Sequence, residues 1–405
     1  MPGPLRVLQV ISSVSPLRGG PSVTVRNIAE ALRRRGVQVD VATTDDDGRE
    51  SRLAVPLDTF CAFHGQRVRY FPRQWRRYCA SYPLLRWLKH SVRDYDVVHT
   101  HGLFAFAPVV AAWQARAARV PYIMRPAGVL DSWGLQNKST RIKRLSIRLV
   151  EQALLSQAAA VHFMSDLERR RAAHLGILMR SVVLPLGFDF GDAGGGDPGP
   201  ADDLAAAGKP VILFLSRIHS VKRLDVLLKA FARLPQPRSA VLAIAGDGET
   251  QLLERLKALA SELGIGESVR WLGFADAERK QRLLAAAALF VLPSASENFG
   301  VAIVEAMNAG LPVVATEGAG LAEFVQSSGA GMVVDEAVES LTAALARLLS
   351  DAALRARMGQ AGQRAVRTQL SLDAFGTRLE NLYRAVMSGA AAERAAGICA
   401  GSAPP

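Results

Sequence analysis

The stretch Ala288–Glu305, ALFVLPSASENFGVAIVE, decides how the chain is read. Its first six residues, Ala288–Pro293, are a short apolar run closed by proline, the pattern of a buried strand. Val301, Val304 and Met307 then share one helical face, and Gly310 with Pro312 ends it. Ser296-Glu297-Asn298-Phe299-Gly300 therefore falls on a strand-to-helix turn at the carboxyl end of a strand. Unpaired backbone N–H groups at such a helix start attract anions and hydroxyl oxygens. Glu297 sits on the loop and Glu305 nearly two turns into the helix, so the two carboxylates serve different parts of one ligand.

The same strand–helix alternation runs outward in both directions. Leu5–Ile11, Val37–Ala42, Val97–Thr100, Tyr122–Met124, Ala159–Phe163 and Ser181–Leu184 read as strands in the first half, with a helix from Ser22 to about Arg35. Asp192–Pro200, DAGGGDPGP, is the clearest linker. Val211–Leu215, Val241–Ala245, Val269–Leu272, Ala288–Leu292 and Val313–Ala315 restart the pattern, and Leu372–Val386 is a late amphipathic helix. At 405 residues the chain is too long for one ordinary core. The expected fold class is α/β: two Rossmann-like, doubly wound domains facing across a cleft, residues 1–190 and 201–371 with a linker at 191–200. A helix at 372–388 and a Gly/Ala/Ser/Pro-rich tail at 389–405, read as disordered, complete it. Ligands in such sheets bind at the carboxyl ends of strands.

The composition, 49% hydrophobic and 21% charged, is globular. Three cysteines, Cys61, Cys79 and Cys399, have neither disulfide nor zinc spacing, which suits a reducing, cytoplasmic compartment. No secretory leader is visible, and the uncharged stretch Val97–Ala115 is broken by His99, His101, Gly102, Pro108 and Gln114, so it reads as strand, turn and helix. The net charge of +12 is lopsided, since residues 1–190 carry 28 Lys and Arg against 14 Asp and Glu. The excess gathers in Lys138–Arg148 and in Arg67–Arg93, where it interleaves with Tyr70, Phe71, Trp75, Tyr78, Tyr82 and Trp87. Basic charge with aromatics suits an anionic membrane surface or a nucleic acid, and a solvated basic face is the bland alternative. No nucleic-acid-binding motif accompanies the charge, and no nucleic acid partner is expected.

Ser216-Arg217-Ile218-His219-Ser220-Val221-Lys222 brings two cations to the end of strand Val211–Leu215. Arg217 can grip a diphosphate bidentately and Lys222 can add a point charge. Gly19-Gly20, between a strand and a helix start, suits backbone approach to a phosphate or a plain turn. The G-x-G-x-x-G fingerprint is absent there, and at Gly246-x-Gly248 the third position is Gln251, which disfavours a nicotinamide enzyme. Asp45-Asp46-Asp47 has oxygen ligands for a divalent ion but is flanked like a solvated loop. His99 and His101 bracket a strand end, and His101, the outer one, is the catalytic candidate of the first domain.

Taken together, Gly19-Gly20, Val97–Gly102, Phe214–Lys222, Ala245–Glu249, Trp271–Phe274, Pro293–Glu305 and Gly310–Thr316 resemble a retaining glycosyltransferase of the GT-B fold, from the large sequence family numbered four. The resemblance spans about residues 5–385 and is most specific in the second domain. It implies a nucleotide diphosphate sugar as donor, no metal and no cofactor. Arg217 and Lys222 would hold the diphosphate, Glu305 the ribose, and Glu297 with the backbone of Asn298, Phe299 and Gly300 the sugar. Gly20 would approach the phosphate, Gly246 would border the donor, and Leu372–Val386 would return to the first domain. Glu297, Arg217, Lys222 and His101 are thus the expected catalytic residues. The acceptor implied is a glycan or a lipid-linked sugar, reached by a protein peripheral to the inner face of the plasma membrane.

The chain departs from the family at Arg125-Pro126-Ala127-Gly128, where many relatives carry histidine in place of Ala127. Alanine offers no hydrogen bond to a sugar hydroxyl. Arg125, Asp131 or His101 substitutes for it, or that contact is dispensable, or catalysis is impaired. A non-catalytic module binding nucleotide sugar or glycan is the alternative reading.

Overall fold

The computed structural model describes residues 3–18, 20–48, 51–63, 65–130, 146–191, 204, 208–235 and 239–390. The chain divides into two compact units, residues 1–189 with 370–405, and residues 190–369. Both are built on sheets whose central strands, such as Val97–His101, Val211–Leu215 and Val241–Ala245, are buried along their whole length, which is why most of them read as apolar runs.

The first unit holds β1 (Arg6–Ile11), β2 (Gln38–Thr44), β3 (Phe60–Phe63), β4 (Gln66–Phe71), β5 (Val97–His101), β6 (Tyr122–Arg125), β7 (Ala160–Phe163) and β8 (Ser181–Val183). Their order is β3-β4-β2-β1-β5-β6-β7-β8, parallel except for the hairpin β3–β4. One face is covered by helices Tyr82–Ser91 and Phe106–Ala118, through Leu84, Leu88, Ala107 and Ala111. The other is covered by helix Gly20–Arg33, through Ile28, Ala31 and Leu32, and by the C-terminal helix Leu372–Ser388, through Leu372, Phe375, Leu379, Leu382 and Tyr383. Ser371 caps that last helix by accepting the Ala374 N–H, and Gly389 ends it at φ 70°. Its close seating needs Gly187, where a Cβ would stand 2.5 Å from Phe375.

The second unit is an all-parallel sheet of β9 (Val211–Leu215), β10 (Val241–Ala245), β11 (Val269–Gly273), β12 (Leu289–Leu292), β13 (Val313–Thr316) and β14 (Gly331–Val334). The order is β11-β10-β9-β12-β13-β14, so direction of growth reverses between β9 and β12.

Two sequence expectations change. The hairpin β3–β4 and the edge strand β14 were not visible as strands. The basic-aromatic stretch from Arg67 is partly interior: Tyr70 and Phe71 are buried on β4, and Arg73 is buried in an ion pair with Asp46. That pair also explains the acidic run. Asp45 accepts the Arg73 N–H at 2.7 Å, and Asp47 accepts the Ser15 hydroxyl at 2.5 Å, so these carboxylates organise a loop instead of standing in solvent. Among the described residues no helix is long and apolar enough to cross a membrane. The tail from 391 and the basic residues 138–144 lie outside the described residues.

Candidate functional site

In the second unit the candidate site lies at the reversal between β9 and β12, two neighbouring parallel strands from which the sheet grows in opposite directions, the place where such sheets bind ligands at their carboxyl ends. After β9 the chain runs beside the end of β10: Ser216 N–H donates to Ala245 O (3.1 Å) and Ile218 N–H to Asp247 O (2.8 Å). Glycine is required there, since a Cβ on Gly246 would lie 1.9 Å from Ser216 O and one on Gly248 2.2 Å from Ile218 O. This close approach leaves Arg217 exposed past the carboxyl end of β9. A single 3-10 turn, Ser220–Lys222, then buries Lys222 and sends its ammonium to the Glu297 carboxylate.

Glu297 is fixed from the other side. Its N–H donates to Gly318 O (3.0 Å), and its own carbonyl accepts the Gly320 N–H (2.8 Å). Gly318 and Gly320 permit this clamp, because a Cβ at either would strike the carbonyls of Ser294, Ala295 or Asn298 within 2.6 Å. Phe299 is buried, and Gly300 at φ 96° starts helix Val301–Asn308. On that helix Glu305 pairs with Lys280 from helix Ala277–Ala286. Lys280 was not foreseen. Nothing in the spacing of residues 280 and 305 announces the contact, which is made by packing of two helices.

The arrangement puts one exposed guanidinium, one ammonium–carboxylate pair and a helix N-terminus past the carboxyl ends of β9 and β12. Two cations and the positive end of a helix suit a diphosphate, and carboxylates held by lysine suit sugar hydroxyls.

In the first unit the growth of the sheet reverses between β1 and β5. Gly20 opens helix Gly20–Arg33 and a Cβ there would meet nothing within 4 Å, so packing does not require glycine at that place. His101 is not at an open surface: it is 2% exposed and belongs to a buried chain of hydrogen bonds. His162 Nε2 meets Leu184 O at 2.7 Å and its Nδ1 meets His99 Nε2 at 3.4 Å. His99 Nδ1 meets the Tyr383 hydroxyl at 2.8 Å, Gln9 Nε2 donates to that hydroxyl at 2.9 Å, and Gln9 Oε1 meets His101 Nε2 at 2.5 Å. Burial holds the three histidines neutral, with His162 pushed down to about 3 and the others well below their usual range. Arg125, the Cα partner of His101 on β6, is fully buried as well. The turn after it takes Ala127 to φ 56° and Gly128 to φ 83°. Asp131 lies outside the described residues.

Helix Tyr82–Ser91 carries a separate feature. Tyr82, Arg86 and Lys89 recur at helical spacing along one exposed stripe, which Arg93 continues just past the helix end. Trp75, 66% exposed, stands beside the start of that stripe, where Gln74 Oε1 accepts the Tyr82 N–H at 2.8 Å.

Two α/β units, each with a ligand end at a strand-order reversal, define the GT-B class of glycosyltransferases. Sucrose-phosphate synthase from Thermosynechococcus elongatus superposes at a TM-score of 0.70 and 23% identity, over 95% of this chain and 100% of that one. Anabaena HepE, solved with UDP and glucose, does so at 0.68 and 20%, over 93% and 98%. Residues 200–365 match the family glycosyl transferases group 1, and residues 19–187 match a glycosyl transferase 4-like domain. The chain is 30% identical over 387 residues to the D-inositol 3-phosphate glycosyltransferase of Corynebacterium jeikeium, covering 88% of this chain and 91% of that protein. It belongs to the group 1 glycosyltransferase family.

Proposed function

We propose that the chain is a retaining, metal-independent glycosyltransferase that moves a sugar from a nucleoside diphosphate sugar to a glycan or lipid-linked acceptor in cell-surface glycan synthesis. The observation that carries this is the Lys222–Glu297 pair beside exposed Arg217 at the β9/β12 reversal. As the bond from sugar C1 to the phosphate oxygen breaks, negative charge grows on the diphosphate and positive charge on the ring. Arg217, Lys222 and the N–H groups of Asn298–Gly300 stabilise the first, and the Glu297 carboxylate faces the second. The acceptor oxygen bonds to C1 on the side that the phosphate leaves, and its proton passes to the leaving phosphate oxygen. Glu305 takes the ribose hydroxyls, exchanging Lys280 for them. HepE, solved with UDP and glucose, and WaaG, described as involved in lipopolysaccharide biosynthesis, support the donor and acceptor classes.

Thermal unfolding of the whole chain against uridine, guanosine and adenosine diphosphate sugars tests the donor. A donor at one hundred times its Kd adds about 2.7 kcal/mol of stability, so one family of nucleotides should raise Tm by several degrees. No rise with any of them overturns the reading.

The stripe Tyr82, Arg86, Lys89 and Arg93, with Trp75, is the surface that meets anionic lipid at the inner face of the plasma membrane. Each basic side chain near such a surface contributes about 1 kcal/mol. Changing Arg86, Lys89 and Arg93 together to serine should weaken flotation with phosphatidylglycerol vesicles by about a hundredfold. Equal flotation of the variant and the native protein would refute this docking face.

A further inference from the structure

Arg125 is a buried cation that makes no ion pair among the described residues. It is 1% exposed, its Nη1 reaches only Met164 Sδ at 3.9 Å, and its Nε has no hydrogen-bond partner. The carboxylate acting on it, Glu168, makes no ion pair with it and instead accepts the N–H groups of Gly128 (2.6 Å) and Met164 (2.7 Å). A buried charge with no carboxylate bonded to it is unfavourable, and the distant Glu168 carboxylate only partly offsets that cost.

Beside it, on the next strand, His101 Nδ1 is also buried without a partner. Its protonation state follows from the hydrogen-bond chain. His162 is neutral and must donate through Nε2 to the Leu184 carbonyl, so its Nδ1 accepts from His99 Nε2–H. His99 Nδ1 therefore accepts from the Tyr383 hydroxyl, whose oxygen accepts from Gln9, whose carbonyl accepts from His101 Nε2–H. His101 is left with a bare lone pair on Nδ1. The two unsatisfied groups are complementary to one ligand, because Arg125 needs an oxyanion and His101 needs a donor.

We propose that Arg125 and His101 form an acceptor subsite for an acidic group. The oxyanion of a phosphate or carboxylate takes the Arg125 N–H groups, and a hydroxyl of the same molecule donates to His101 Nδ1. Met164, an unbranched thioether, is the wall that yields to it. The word acceptor rests on the glycosyltransferase reading; the anion site does not.

The test is thermal unfolding of the whole chain, saturated with nucleoside diphosphate to occupy Arg217 and Lys222, while inorganic phosphate or D-glucuronate is titrated. One of the two should raise Tm in the native protein, and which one does identifies the source of the oxyanion. Arg125→Met should unfold at a higher temperature than the native protein in the absence of anion, because an unpaired buried charge is gone. It should also need about tenfold or more of the anion for the same response. Arg125→Lys, which keeps the charge, should retain part of the response. The proposal is overturned if neither anion shifts the native protein, if Arg125→Met responds as the native protein does, or if Arg125→Met is less stable than Arg125→Lys. Failure of the nucleotide alone to raise Tm would count against the donor reading and leave the anion comparison at Arg125 intact.

Discussion

Lys222→Ala should lower turnover about 10²–10³-fold, the usual cost of removing one charge-stabilising donor from a transition state. Glu297→Gln should lose turnover comparably yet bind nucleoside diphosphate at least as tightly as the native protein. The contrast follows from geometry. Lys222 is buried and its ammonium lies against the Glu297 carboxylate, so each residue sets the other's charge environment. Removing the lysine leaves a carboxylate facing the diphosphate and repels it. Neutralising the carboxylate frees the lysine for phosphate and removes only the partner of the sugar. Calorimetry with nucleoside diphosphate and a turnover assay separate the two. If Glu297→Gln loses nucleotide affinity while Lys222→Ala keeps it, the assignment of the two residues is reversed.

Acid should unfold the first unit well before the second. His99, His101 and His162 are fully buried and their pKa values are lowered, by desolvation above all, then by Arg125 in all three and by neighbouring histidines for His99 and His101. The unfolded chain, with histidine near 6.5, binds protons that the folded unit refuses. Stability is therefore complete above about pH 6.5 and falls as pH drops below it, by up to about 4 kcal/mol per pH unit when three groups act together. Among the other groups, buried Glu151 works in the opposite sense, since its pKa is raised by burial, but it is one group against three. In the second unit the histidine is His219, which is partly exposed. Hydrogen exchange at pH 5 and pH 7.5 should show β5 and β7 losing protection while β9 and β12 keep theirs. Equal loss in both units would mean that the histidines are not the acid-sensitive element.

The candidate site of the second unit was legible because each part is local. The apolar run, the proline, the glycine and the carboxylates of Ala288–Glu305 lie within one strand, turn and helix, and the structure places β12 and helix Val301–Asn308 there. Arg217 and Lys222 were legible for the same reason, as a short segment past a strand end. Lys280 was not, because its tie to Glu305 exists only once two helices pack. The histidine chain was beyond sequence reasoning altogether, since Gln9, His99, His162 and Tyr383 come from four elements and the bond from His99 to Tyr383 spans 284 positions. Arg73 misled for a related reason. A basic residue among aromatics looks like surface, and only the β2–β4 pairing, which brings the Asp45–Asp47 loop beside it, shows it to be interior.

The C-terminal helix makes the first unit discontinuous: the second unit is, in topology, an insertion between Asp189 and Leu370. Phe188 and Leu372 are tied by reciprocal backbone bonds, Phe188 N–H to Leu370 O (2.8 Å) and Leu372 N–H to Phe188 O (3.0 Å), where the chain leaves and re-enters. On the ribosome, therefore, the part made first must wait for the part made last. Residues 190–369 are contiguous and can close their sheet as they emerge. The first 189 residues leave the Tyr383 seat empty and an apolar face of Ile28, Leu32 and Val97 open until Leu372–Ser388 has been synthesised. The order of synthesis thus leaves that apolar face uncovered longest, and makes loss of the last few turns of helix equivalent to damage near the first strand.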